Sequence, residues 1–255
     1  MSAQPSRKPF FAAQPVASPA RLADTVSDAI AAALFDGRIA PGEPLPSEGE
    51  IAKEFGVSKP IAREALRQLT SVGLVFTQQG KVARAKALNG ETLERIYGYA
   101  VRSSLTRLRE ANEMRRAIES GVARLAAQRR EKAGLAAMKL ALDEMRAALG
   151  DPAAFTEADI LFHLGLAMTT GNSMIRVQME GMRSVQREVS DLFARRANRS
   201  TADWQATVDR HKALYEAILA GDGALAERCI SRHYAAADIA SLEVAGKAKQ
   251  GTSRK

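Results

Sequence analysis

Apolar residues recur at helical spacing through most of this chain, and only one short stretch departs from that rhythm. From residue 91 onward the pattern is alanine-rich and helical, without strand-like alternation. The spacing predicts six or seven helices there, near 91–107, 111–129, 132–148, 153–170, 173–197, 202–220 and 224–243. Gly150-Asp151-Pro152, Gly171-Asn172 and Gly221-Asp222-Gly223 are the breakers between them. The expected architecture of this part is an all-α helical bundle.

The first 86 residues read as three short helices followed by two β-like runs. In the first helix, Arg21 to Asp36, Leu22, Val26, Ala29, Ala33 and Leu34 share a face, and Gly37 ends it. Pro44 and Pro46 hold the next residues extended. Ser47-Glu48-Gly49-Glu50 has the form of a capping box, so a helix is expected from there to about Phe55. Gly56 permits a tight turn, and Ser58 then caps another helix with Pro60 in its first turn. Ile61, Ala65, Leu66 and Leu69 form its buried stripe, and Gly73 ends it. Two helices joined by a tight glycine turn make a helix-turn-helix. Leu74 to Thr77 and Val82-Ala83, around Gln78-Gln79-Gly80-Lys81, would be a β-wing. The pattern alone fits a DNA-binding head, and also an ordinary three-helix domain with a hairpin.

The fold expected is therefore mainly α: an N-terminal winged helix-turn-helix and a C-terminal helical bundle. A length of 255 residues suits two domains, placed at 19–86 and 91–243. Residues 1–18 read as a loose tail and 244–255 as a basic tail. No apolar run is long enough to span a membrane, and the N-terminus lacks the apolar core of a secretory signal. One cysteine, Cys229, cannot staple a fold, which points to a reducing, cytoplasmic setting. The net charge of +8 suits a polyanionic partner. The excess is not concentrated in the head, because residues 1–85 carry ten Lys and Arg against eight Asp and Glu.

Candidate chemistry gathers in the bundle. The chain has three histidines, His163, His211 and His233, and each falls on an apolar helical face. Asp159 lies one turn before His163 and shares its face. A carboxylate and three imidazoles pointing inward are costly unless paired, and one cation would satisfy all four. Three nitrogens and one oxygen suit zinc first, with nickel or manganese as alternatives. The alternative is three separately hydrogen-bonded core histidines.

Residues 37–75 resemble the winged helix-turn-helix signature of the GntR family of repressors. The resemblance is carried by Pro41-Gly42, Leu45-Pro46-Ser47-Glu48, Ala52, Gly56-Val57-Ser58, Arg63-Glu64-Ala65-Leu66, Leu69 and Gly73-Leu74. It implies DNA contacts from Ser47, Ser58, Lys59, Arg63 and Arg67, and from Gln79, Gly80 and Lys81 of the wing. A recognition helix enters the major groove N-terminus first, and Arg63 can bind guanine bidentately. Its alternative partner is Glu64 or a neighbouring carboxylate. Gly49 and Lys59 stand where relatives often carry arginine, so the operator cannot be carried over.

The bundle resembles the FCD ligand-binding domain of the FadR branch of that family, from about Leu105 to Ala237. The matching residues are Glu113 to Glu119, Ala158 to His163, His211 to Ile218 with Gly221-Asp222, and Ala226 to His233. The resemblance implies that Asp159, His163, His211 and His233 are metal ligands. It also implies that Arg115 faces the pocket, where it would clamp a carboxylate opposite the metal. An i,i+4 salt bridge with Glu119 is the alternative role of Arg115, and both can hold together. The expected function is a homodimeric regulator of double-stranded operator DNA: a repressor, not an enzyme, released by a small hydroxy acid or sugar acid. A metal-dependent hydrolase carrying a DNA-binding head is the rival, although neither H-E-x-x-H nor a nucleophile elbow occurs. A structural DNA-binding protein without a ligand is the third reading.

Overall fold

The computed structural model describes residues 18–77, 82–194 and 200–236. The chain divides into two compact units between Ala87 and Leu88.

The first unit holds α1 (Pro19–Phe35), α2 (Glu48–Phe55), α3 (Lys59–Ser71), β1 (Val75–Phe76) and β2 (Arg84–Ala85). Ser18 caps α1, its side chain accepting from the Arg21 amide. The predicted capping box is present at α2: the Ser47 hydroxyl accepts from the Glu50 amide, and the Glu50 carboxylate accepts from the Ser47 amide. Gly56 closes α2 in the left-handed conformation, φ 63°, which lets α3 start three residues later, at Lys59. Ser58 is the N-cap residue of α3, but its side chain makes no cap hydrogen bond, contrary to expectation. Pro60 in the first turn lacks an N–H and removes one of the donors that a cap would satisfy.

Antiparallel β1 and β2 pair Val75 with Ala85 and Phe76 with Arg84. The second strand lies two residues past the expected Val82-Ala83. Ala83 and Ala85 are drawn to the core side, and the Ala83 carbonyl accepts from the Leu45 amide of the preceding extended segment. Val26, Ile30, Leu45, Ile51, Ala62, Leu66, Leu69 and Val75 form one core beneath the three helices. This core fixes the angle between α2 and α3 and leaves Ser58, Lys59, Arg63 and Arg67 exposed on α3. Gln79, Gly80 and Lys81 lie outside the described residues.

The second unit is all-helical: α4 (Glu91–Arg102), α5 (Leu105–Arg129), α6 (Lys132–Ala147), α7 (Pro152–Thr169), α8 (Ser173–Gly181), α9 (Arg183–Ala194), α10 (Thr201–Leu219) and α11 (Gly223–Ala236). Two predicted spans are corrected. The first break falls at Ser103 and Ser104, not at 108–110, because Ser104 caps α5 by accepting from the Arg107 amide. The expected single helix over 173–197 is two helices that meet at Met182. Gly181 lies so close to α4 that a Cβ there would stand 2.6 Å from Leu93 Cβ, and the break permits this approach. Residues 195–197 and 237–243, assigned to helices by pattern, lie outside the described set.

Helix α7 is the axis of the bundle. It is buried on nearly every side and packs against α5, α6, α8 and α9. Its closest neighbour is α6, and two glycines allow the approach. A Cβ on Gly134 would fall 2.2 Å from the Thr169 amide nitrogen, and one on Gly165 would fall 2.8 Å from the Met138 nitrogen. Met138, Leu142, Met145, Phe162, Leu166, Leu214, Ile218 and Ile230 fill the core around it. Such packing turns the Asp159–His163 face of α7 toward α10 and α11.

Candidate metal centre

Helix α7 supplies Asp159 and His163 one turn apart, α10 supplies His211, and α11 supplies His233. Each offers one ligand atom, and the four atoms lie within 4.8 Å of one another. The imidazole rings stand 4.6 to 5.5 Å apart, centre to centre. Asp159, His163 and His211 are buried; His233 is half-buried. Asp159 Oδ1 lies 2.9 Å from His211 Nε2 and 3.9 Å from His163 Nε2. Metal bonds of about 2.1 Å require ligand atoms roughly 3 to 4 Å apart, so these separations already suit a cation.

The outward-facing atoms of the quartet are tied down. His211 Nδ1 donates to the Thr207 carbonyl at 2.8 Å, one turn back on α10. A carbonyl only accepts, so the proton of neutral His211 is on Nδ1 and Nε2 carries a lone pair. His163 Nδ1 lies 2.5 Å from Glu119 Oε2 of α5 and donates to it. Asp159 Oδ2 accepts from Gln186 Nε2 at 2.8 Å and from Ser190 Oγ at 3.1 Å, both on α9. What remains is Asp159 Oδ1 and the Nε2 atoms of His163 and His211. Both Nε2 atoms, and His233 Nδ1, are buried without a hydrogen-bond partner among the described residues. Buried acceptors without donors are rare because each forfeits its hydration. One divalent cation would satisfy the set, and the donor chemistry fits it: neutral imidazoles and a carboxylate, held by hydrogen bonds from the next layer of residues.

The electrostatics agree. Burial, partly offset by Glu119, holds the His163 pKa below the usual histidine value. Burial and the two facing imidazoles push His233 well below it. Burial would raise the Asp159 pKa, yet His211 and the other imidazoles hold it well below the usual carboxylate range. The neutral-imidazole, ionised-carboxylate state is the one that binds metal.

Arg115 is buried on α5 and donates through Nε to Glu119 Oε1 at 2.7 Å. Glu119 thus joins Arg115 to His163. Burial opposes its ionisation, but the Arg115 guanidinium outweighs that and brings the Glu119 pKa down to about 2. Arg115 Nη2 is buried without a hydrogen-bond partner, and the guanidinium carbon stands 5.4 Å from the centre of the Tyr234 ring. The salt-bridge alternative for Arg115 is present, and a donor edge is still unused.

The supporting residues are not legible in the sequence: Glu119 reads only as a salt-bridge partner of Arg115, and Gln186, Ser190 and Thr207 carry no signal. Gln186 and Ser190 are ordinary helical polar residues until α9 folds onto α7.

On α3, Arg63 does not pair with Glu64. Its Nε lies 3.0 and 3.1 Å from the two Glu48 carboxylate oxygens, and its Nη2 lies 2.8 Å from Oε2. Glu64 takes Arg67 instead. Ser47 is exposed and engaged in its capping box, and Lys59 is exposed in the first turn of α3.

Comparison with known proteins agrees with both units. Residues 22–84 match the model for bacterial regulatory proteins of the gntR family, and residues 110–236 match the FCD domain. The HTH-type transcriptional regulator LutR of Bacillus subtilis is 31% identical over 204 residues, which is 78% of this chain and 92% of LutR. The galactonate operon transcriptional repressor of Escherichia coli is 32% identical over 205 residues, 76% of this chain and 86% of the repressor. A solved structure, Streptococcus agalactiae GntR, shares the fold with a TM-score of 0.65 at 21% identity, covering 83% of this chain and 96% of that one.

Proposed function

As a member of the gntR family of bacterial regulatory proteins with an FCD domain in its second unit, this chain is a DNA-binding transcription regulator, and we propose that a small carboxylate controls it through a metal held by Asp159, His163, His211 and His233. The observation that carries the proposal is the convergence of one ligand atom from each of Asp159, His163, His211 and His233 within 4.8 Å, with both Nε2 atoms of His163 and His211 lacking a hydrogen-bond partner among the described residues, together with a buried arginine that has a free donor. A divalent cation with zinc-like preferences would serve as Lewis acid and anchor one oxygen of the effector. Arg115 Nη2 supplies the second, charge-assisted contact. A carboxylate carrying a neighbouring hydroxyl meets both demands, and the similar Escherichia coli repressor is named for galactonate, itself a hydroxy acid.

Switching requires that effector bind one conformation better than another. Arg115 and Glu119 lie on α5, His163 and Asp159 on α7, and His233 on α11. With His211 on α10, a ligand bridging Arg115 and the quartet therefore draws on four helices at once. We propose repression by a homodimer on two-fold operator DNA, with effector causing release. Exposed Ser58, Lys59, Arg63 and Arg67 on α3 form the proposed DNA face, with Ser47 beside it. A thermal-shift screen of hydroxy acids and sugar acids, with metal and with chelator, tests the sensor. A hit must raise the melting temperature only with metal, and must reduce operator binding in a gel-shift assay. Turnover of a hit by the purified protein would instead favour an enzyme.

A further inference from the structure

The geometry points to Glu48 as a specificity-determining residue: its carboxylate on α2 holds Arg63 of α3 by one edge of the guanidinium and presents the other edge to a guanine. This rests on the DNA-binding reading of the first unit. Arg63 has five N–H donors on a rigid plane. Glu48 occupies the side edge, made by Nε and one hydrogen of Nη2. The end edge, made by Nη1 and the second hydrogen of Nη2, is left over, and its two parallel N–H groups can reach guanine O6 and N7 together. The Arg63 side chain remains 65% exposed despite its bidentate partner.

The pair crosses between two helices, 15 residues apart in sequence, so it also sets where along α3 the guanidinium sits. An exposed ion pair adds little stability, and a negative charge at a DNA face works against phosphate binding. Glu48 therefore makes sense as a positioning residue, which trades general affinity for a fixed arginine. Positions 49 and 59 favour the same arrangement. Gly49 has no side chain, and the Lys59 Cε lies 3.6 Å from where its Cβ would be, with Nζ at 4.0 Å. Glu48 thus holds the arginine while Lys59 reaches the same turn of α2 over Gly49.

The test selects binding sites from a randomised duplex library with the full-length parent, and then with Glu48→Gln and Glu50→Gln. Glu50 lies in the same turn of α2 and touches Ser47, and glutamine preserves that capping contact. Glu50→Gln thus removes the same charge without touching Arg63. Melting temperature and circular dichroism confirm that each variant is folded. The parent is expected to enrich a site with a fixed guanine in each half. Glu48→Gln should lose discrimination at that base by about 5- to 100-fold while binding non-specific duplex at least as well as the parent. Glu50→Gln should keep the parent's discrimination. Unchanged discrimination in Glu48→Gln overturns the proposal, and so does an equal loss in Glu50→Gln. A parent that enriches no sequence would instead overturn the DNA-binding reading itself.

Discussion

Asp159 Oδ1 and His211 Nε2 face each other at 2.9 Å with no proton of neutral His211 between them, because that proton is donated to the Thr207 carbonyl. Two buried lone pairs at that distance repel, and a shared proton or a cation removes the repulsion. Asp159→Asn places an amide N–H against the same nitrogen. The metal-free variant should therefore melt no lower than the metal-free parent. The parent should gain about 5 to 10 °C with saturating zinc, and the variant nothing, by differential scanning fluorimetry. A variant that still gains stability from zinc would show that Asp159 is not a ligand.

Glu119 has two jobs that separate by substitution. Glu119→Gln retains one acceptor for His163 but weakens its hold, so metal affinity should fall about 10- to 100-fold in a competition assay with a chelating dye. Glu119→Ala strands the buried Arg115 cation and should cost about 3–5 kcal/mol of stability in denaturant melts. Equal and small effects from both would mean that Glu119 supports neither partner.

The pH response has two windows. Burial keeps the folded pKa of His163 below 6.5 and that of His233 well below it, whereas the unfolded chain takes up protons near 6.5. The unfolded state then binds more protons, so the chelator-treated protein should lose stability as pH falls below about 6.5. Glu119 sits at about 2 in the folded chain against 4.5 in the unfolded one, so its contribution is present above 4.5 and is lost as pH falls toward 2. Melting temperatures in EDTA should be flat above pH 7, decline below about 6.5 and fall further below 4.5. His233→Gln should flatten the first decline, and a parent curve level from pH 7 to pH 5 would contradict this account.

At the DNA face, Arg63→Ala and Lys59→Ala should fail differently. Losing Arg63 should weaken operator binding by about 1–3 kcal/mol and relax selectivity at one base pair. Losing Lys59 should weaken all duplexes alike and lower the salt slope by roughly one. Filter binding over a salt series separates the two, and identical salt slopes for both variants would remove the distinction.

The parts of the fold legible in sequence were those set by local chemistry. The Ser47–Glu50 box, the left-handed Gly56 and the i,i+4 pairing of Asp159 with His163 each follow from a few adjacent residues. The convergence of His211 and His233 on that pair was legible as three inward histidines needing a common partner. The division of α8 from α9 was not, because it depends on Gly181 meeting Leu93 some ninety residues away, while the helical pattern runs on unbroken. Separations of 27 to 44 residues from their partners hid Gln186, Ser190 and Glu119 in the same way. Polar residues on a helix look solvated until another helix covers them. The sequence marks Arg63 as a candidate DNA contact, but its partner Glu48 lies on the preceding helix, and only the packing of α2 on α3 brings the two together.

The central claim is tested most directly by elemental analysis of purified protein by mass spectrometry, after dialysis against metal-containing and then metal-free buffer. The account predicts one divalent metal ion per chain in the parent and none in His211→Ala or Asp159→Ala. A folded parent without stoichiometric metal, or variants that retain it, would contradict the account.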